Sequence, residues 1–108
     1  MANPRSAQYA EVNWAVAVHM APGVPQKVAL AGGASAGKAV QAGSTLRIIS
    51  STPCQYRVGS GAQVAVADDN DLPANTVEYI TLLSTQDNIA FFSAAAGTVK
   101  VAVCSGAP

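Results

Sequence analysis

Two chemical motifs overlap in one glycine-rich stretch of this 108-residue sequence, between Gly32 and Lys38. The letters GGASAGK supply the glycines and the lysine of a phosphate-binding loop, whose backbone amides surround the phosphates. Ala39 follows where such a loop needs Ser or Thr to hold magnesium, and Gly43 comes too soon for a helix that could face the anion. The stretch is therefore interpreted as a flexible Gly/Ala hairpin loop.

The same stretch contains GASAG, residues 33–37, which matches the Gly-x-Ser-x-Gly turn of serine hydrolases. A nucleophilic Ser35 needs a histidine base, and His19 is the only histidine in the chain. His19 precedes the serine, the reverse of hydrolase order, and the chain is too short for the strand-turn-helix scaffold of that fold. With no nucleophile or acid/base pair left, the sequence predicts a protein that is not an enzyme.

An acidic run, Asp68, Asp69, Asn70 and Asp71, offers oxygen atoms of the kind that calcium binds. The glycine turn and the distal glutamate of an EF-hand loop are absent, so a solvated acidic turn is predicted. One histidine and two distant cysteines are too few ligands for zinc. We therefore expect no metal site and no cofactor.

Cys54 and Cys104 are predicted to be two free thiols. In regular strands Cys54 shares a face with Tyr56, whereas Cys104 shares a face with Lys100, so the two thiols point apart. Free thiols are typical of a chain made in the cytoplasm.

Short strands that end at turn residues account for most of the chain. Apolar residues alternate with other residues over 12–18 and 99–103, as in half-buried strands. Further strands are predicted at residues 24–30, 45–50, 54–58, 62–66, 76–83 and 89–92. About eight short strands at this spacing predict an all-β fold, a single small antiparallel β-sandwich or jelly-roll-like domain. We expect an N-terminal arm at residues 1–10 and the β-sandwich domain at residues 11–108.

Function in a β-sandwich usually lies on loops and edges. The two longest loops are predicted at the glycine-rich residues 31–43 and the acidic residues 68–71, and at most one short helical turn is expected, near residues 93–96. By alternation, Trp14 and Tyr56 belong to the core.

The composition argues against two classes of partner. The six basic residues are scattered along the chain, which disfavours nucleic acid. No apolar run approaches the roughly 20 residues of a membrane span, and no secretory segment is expected. Charged residues are only 11% and the formal net charge is zero, so little repulsion opposes association with itself or with another protein.

The order of parts after Leu46 is distinctive. A strand with a polar start, CQYRVG (Cys54–Gly59), is followed by a short acidic loop, by LPA leading into VEY (residues 72–79), and by a closing AGTV strand (residues 96–99). This order resembles the small β-sandwich virion proteins of tailed bacteriophages, especially capsid decoration (cement) proteins. The resemblance covers somewhat over half of the chain.

The resemblance implies a structural virion protein, made in the host bacterial cytoplasm, that binds the outer surface of a phage capsid. There it cements neighbouring subunits of the major capsid protein, its partner, as a homo-oligomer, with a trimer favoured. Head-tail connector, tail and head-fibre subunits share the same style and stay open as alternatives, as does a carbohydrate-binding β-sandwich. The predicted interface is the polar arm and the acidic loop: Asn3, Pro4, Arg5, Ser6, Gln8, Tyr9, Asp68, Asp69, Asn70 and Asp71.

Overall fold

Nine β-strands make up residues 21–105, the part of the chain that this computed structural model describes. They are β1 (Ala21–Pro22), β2 (Gln26–Ala31), β3 (Ala34–Ala39), β4 (Thr45–Ser50), β5 (Cys54–Gly59), β6 (Asn70–Leu72), β7 (Glu78–Thr81), β8 (Asn88–Ser93) and β9 (Ala96–Ser105). Residues 21–105 contain no helix, so the predicted all-β class is confirmed. The predicted arm at residues 1–10 and the predicted strand at residues 12–18 lie outside the described residues.

The strands form two antiparallel sheets, each with four strand positions, as the predicted β-sandwich requires. Sheet A has the order β7-β4-β9, and β1 and β2 lie end to end along the remaining side of β9. Sheet B has the order β3-β8-β5-β6. Four steps separate Pro22 from Gln26, but three separate their partners Cys104 and Val101, so one extra residue forms a bulge between β1 and β2.

Two neighbouring runs of chain pass from one sheet into the other at a common corner. The run β2-β3 lies beside the run β8-β9, with Ala31 opposite Ala96 in sheet A and Ala34 opposite Ser93 in sheet B. Gly32 lies at the bend with φ of 84°, a left-handed conformation that favours glycine, and a Cβ there would be 3.3 Å from backbone atoms of the partner run. The corner closes one side of the sandwich.

The core lies between the sheets and is built by alternation on β4 and β9 in sheet A and on β8 in sheet B. Leu46 and Ile48 point inward from β4, and Val99 and Val101 point inward from β9. Phe91 of β8 is fully buried among them. Tyr56 packs against this cluster as a half-buried residue, which agrees with its predicted facing.

Most predicted strands are present with shifted ends: residues 24–30, 45–50, 54–58, 76–83, 89–92 and 99–103. Two other predictions are wrong. The glycine-rich residues 31–43 are not one loop, because β3 forms there by pairing with β8. Residues 62–66 are not a strand. Residues 93–96, where at most one helical turn was expected, hold the corner between β8 and β9. The fully buried Ser93 hydroxyl donates a hydrogen bond to the Ala95 carbonyl at that corner.

Both cysteines are buried free thiols on different faces, as predicted. Cys54 lies in the core between the sheets, whereas Cys104 follows the outward-facing positions Lys100 and Ala102 of β9. Burial raises the pKa of both thiols, although a hydrogen bond with Ser50 acts in the opposite direction at Cys54 and the charge of Arg47 does so at Cys104.

We expect Phe91→Ala to lower the free energy of unfolding by about 3–5 kcal/mol, because truncation leaves a cavity in the core. Phe92→Ala is the matched control: its side chain is half-buried on the outer face, and its loss should cost less than about half as much. Urea denaturation followed by circular dichroism measures both. Equal losses would contradict the facing of β8.

The thiols give a second prediction. A thiol reagent should react slowly with the native protein near neutral pH, because burial hinders access and keeps both groups protonated. After denaturation without reductant, Cys54 and Cys104 should both react at once. Finding neither thiol reactive in the denatured chain would show a disulfide and contradict the structure.

Candidate protein-binding surface

An irregular segment between β5 and β6, residues 60–69, lies on the outer face of sheet B; we call it the 60–69 loop. Its centre is in close contact with the sheet, since the Ala65 N–H donates a hydrogen bond to Ser35 Oγ at 2.9 Å. Ala65 is only 2% exposed although it belongs to no strand. The loop is therefore part of the packed structure, not a projection from it.

The sheet admits this loop because its outward-facing residues there are small. Gly37 of β3 is opposite Ala90 of β8. Ala90 is fully buried, and it faces the side of sheet B that carries the 60–69 loop. A Cβ on Gly37 would be 3.5 Å from the Gln63 carbonyl oxygen, and one on Gly59 would be 2.5 Å from the Gln63 side chain. A Cβ on Gly59 would therefore displace the flexible end of the Gln63 side chain, and the small residues at Gly37 and Ala90 leave room for the loop.

Two carboxylates fix the ends of the loop. The Arg57 side chain donates from Nε and Nη2 to Asp69 Oδ1, both at 3.1 Å, and the Val66 N–H donates to Asp69 Oδ2 at 2.8 Å. At the other end, the Gly61 N–H donates to Asp87 Oδ1 at 3.0 Å. Residues on β5 and beside β8 therefore hold the loop in one conformation.

These contacts favour the ionised carboxylates. The hydrogen bond from the Val66 amide, assisted by the Arg57 guanidinium, holds the pKa of Asp69 below its ordinary value. The hydrogen bonds from the Gly61 amide and from the Asn88 side chain do the same for the pKa of Asp87. The loop is consequently fixed at neutral pH.

The fixed loop presents apolar side chains to solvent. Val64 is 65% exposed and Val66 is 44% exposed, on either side of the buried Ala65. Asp68, two residues after Val66, is also exposed, and the exposed Asp71 accepts a hydrogen bond from the Gln55 side chain at 3.1 Å. We call Val64, Val66, Asp68 and Asp71 the loop face. Rigid apolar side chains with an acidic rim are suited to contact with a protein surface.

The predicted acidic site is only partly present. Asp69 is engaged by Arg57 and Val66, and Asn70 donates from Nδ2 to the Tyr56 carbonyl at 3.2 Å. Asn70 and Asp71 begin β6, so the predicted loop at residues 68–71 is wrong beyond Asp69. The arm residues Asn3, Pro4, Arg5, Ser6, Gln8 and Tyr9 lie outside the described residues.

Sequence reasoning missed Val64 and Val66, because their alternation was interpreted as a strand. The sequence does contain a signal for a loop: the two valines lie in a short segment bounded by Gly59, Gly61 and Asp68. Such turn residues on both sides favour a loop over a paired strand. Ser35, the candidate nucleophile, lies under the loop as a hydrogen-bond acceptor. Lys38 is in β3, whose amides pair with β8 and do not converge on a phosphate site.

The outer face of sheet A has a different character. Lys27 and Lys100 are directly opposite each other, and Arg47 lies one outward-facing row further along β9, opposite Ala102. Glu78 of the same sheet is opposite Ile48 and so shares its inward-facing register. Among residues 21–105 the one ion pair is Arg57–Asp69, on sheet B. The outer face of sheet A is therefore basic, whereas Asp68, Asp69 and Asp71 lie in or beside the 60–69 loop of sheet B.

The described residues hold no group of three or more His, Cys, Asp or Glu side chains placed to bind a metal ion. In the same range there is no helix long and apolar enough to span a membrane. Comparison of the chain with protein-family models, with curated proteins and with solved structures finds no match. The loop face is accordingly interpreted from its own contacts.

We expect Asp69→Asn to reduce the protection of the Ala65 and Val66 amides against hydrogen exchange at neutral pH, because the charge-assisted contacts to Arg57 weaken. Asp68→Asn, at the exposed neighbour, is the matched control and should leave protection unchanged.

The wild-type loop should also respond to acid. A carboxyl whose pKa is lowered on folding stabilises the native state above its unfolded pKa, about 3.9 for Asp, and that stabilisation is lost as pH falls through the folded value. Protection factors for Ala65 and Val66 should therefore fall below about pH 4, as Asp69 and Asp87 take up protons. Protection that is unaffected by acid and by Asp69→Asn would show that the carboxylates do not fix the loop.

Proposed function

We propose that this chain is a structural virion protein of a tailed phage that binds the outer surface of the capsid and cements neighbouring subunits of the major capsid protein. The observation that carries the proposal is the fixed loop face on sheet B. Support also comes from the order of parts after Leu46, which resembles that of capsid decoration proteins. In this proposal the protein is made in the host cytoplasm, acts as a homo-oligomer and uses no cofactor.

The loop face is prepared for binding because its conformation is set before a partner arrives. A flexible loop loses conformational freedom on binding, at about 0.5–1.5 kcal/mol for each immobilised side chain. Arg57, Asp69 and Asp87 have already fixed this loop within the free protein. Most of the contact energy is then available for affinity.

The size of the loop face requires many copies. Complete burial of Val64 and Val66 contributes about 3–6 kcal/mol at most, below the roughly 8 kcal/mol that a micromolar complex needs. A single loop face therefore binds weakly. Several loop faces on one oligomer add through effective concentration, and a bound oligomer opposes separation of the subunits that it bridges.

Simultaneous binding by several loop faces also gives the protein a preference for the expanded shell. A ligand stabilises one state of a shell only by its differential affinity for that state. If the contacted subunits reach the correct spacing only after expansion, simultaneous binding by several loop faces is confined to the expanded shell. The bound protein then raises the stability of that shell.

We expect the purified full-length protein to bind expanded capsids assembled without it, to raise their disruption temperature and to leave unexpanded capsids largely undecorated. The double substitution Val64→Ser and Val66→Ser should reduce occupancy steeply, since each lost contact is repeated across the oligomer. Leu83→Ser is the matched control, because Leu83 is equally exposed at 65% but lies outside the loop face. Electron microscopy of decorated capsids and thermal disruption assays measure both effects.

Three results would contradict the proposal. Binding at a single portal or tail position would favour a connector or tail subunit. Binding to glycans with no affinity for capsids would favour the carbohydrate-binding alternative. Equal loss of occupancy for Leu83→Ser and for the loop-face variant would show that the loop face is not the contact.

A further inference from the structure

A groove of about 390 Å³ opens between the two sheets at the side where β1 meets β2 and where β3 ends. Its volume lies within the range of ligand-sized pockets, about 300–1,000 Å³. Val101 and Val103 of β9 line it, and Val40 forms part of its wall. All three belong to the core cluster or pack directly against it. The groove is therefore an opening into the hydrophobic core.

The rim of the groove combines an apolar residue with a cation. Val24, in the bulge between β1 and β2, is 81% exposed, the highest value among the exposed large apolar residues of the described chain. Lys38 of β3 lines the groove and is opposite Ile89, a buried core residue. An occupant that fits this groove has apolar side chains along one face and an acidic group near the end that meets Lys38.

One segment of the sequence has this chemistry. Residues 12–18 alternate, with Val12, Trp14, Val16 and Val18 on one face, and Glu11 precedes them directly. The described chain begins at Ala21, and the groove is lined from Gly23 onward. The segment is therefore joined to the rim of the groove by a few residues.

The local chemistry disfavours insertion of the segment into the groove of its own chain. Strand β1 is antiparallel to β9 with Ala21 opposite Ser105, so Ala21 is at the end of β1 that is farther from Gly23, where the lining of the groove begins. A return would need a tight reversal at His19 and Met20, and neither residue is a turn former. Pro22 and Pro25 also lack the N–H groups that a hairpin partner on this edge would use.

We propose that residues 12–18 of one copy insert their apolar face into the groove of a second copy, with Glu11 placed towards Lys38. In such an exchange each copy gives one segment and receives another, either reciprocally within a dimer or head to tail around a ring when the rotation closes. The inference deepens the homo-oligomeric part of the proposed function and uses a surface separate from the loop face.

The chain carries its own reporter, because Trp14 is its one tryptophan. Insertion shields Trp14, so native protein should emit at shorter wavelength than denatured protein and should be larger than a monomer by light scattering. Val24→Asp should shift the emission to longer wavelength and raise the dissociation constant of the oligomer at least about tenfold, because a carboxylate is placed in an apolar contact. Leu83→Asp, at an exposed residue that does not line the groove, should change neither property.

A disulfide trap identifies the chain that supplies the segment. Val16→Cys and Val40→Cys are prepared as separate full-length variants, mixed and oxidised; covalent dimers should form in the mixture and not in either variant alone. Cys54 and Cys104 are buried and are present in every sample, so they do not cause a difference between the samples.

Each contrary outcome overturns the inference. Cross-linking only within a doubly substituted chain would show that the segment returns to its own groove. A monomeric protein, or an emission unaffected by Val24→Asp, would show that the groove has another occupant or none. A monomer that still decorates expanded capsids would reject this inference and the homo-oligomeric part of the proposed function, and would leave capsid binding by the loop face intact.

Discussion

Every strand of the described chain depends on one bent ribbon, formed by β8 and β9. Strand β8 is paired on both sides within sheet B, and β9 is paired on both sides within sheet A. The corner between them sets how the two sheets face each other. Gly32 on the neighbouring run supplies the left-handed conformation that lets both runs bend together. The buried serine hydroxyl at the end of β8 caps the bend without leaving an unpaired polar group.

The close packing of the 60–69 loop against sheet B explains the small residues on the outer side of that sheet. Alanine and glycine on the outer side of sheet B leave room for the 60–69 loop, so a third layer of backbone lies on the sandwich without a strand of its own. Arg57 and Asp69 then hold the loop by charge, and Ala65 of the loop is buried against the sheet. Because only Ala65 of this part of the loop packs against the sheet, Val64 and Val66 stay outside the core and are available for contact.

Alternation in the sequence predicts the fold well where side chains decide the facing. Strand β9 alternates large apolar residues and was predicted from that pattern, whereas β4 was predicted as a short run bounded by turn residues. Strand β3 was missed because its residues are small and its pairing with β8 supplies the stabilisation. The strand predicted at residues 62–66 was wrong for the opposite reason. Its apolar residues alternate, but alternation alone does not show whether a partner strand is available. The same limit applies to the outer face of sheet A: Lys27 and Lys100 are far apart in sequence, and only the register places them opposite each other.

The position of the bent ribbon also governs when the protein can begin to fold during synthesis. Residues 26–39 pair with residues 88–101, so neither sheet has its central strand until the later run has left the ribosome. Until then the earlier strands have unpaired edges and exposed apolar faces, the condition in which nascent chains associate wrongly. Contacts so distant in sequence also make the closing step slow. Chaperone demand should therefore be concentrated in a narrow interval late in translation.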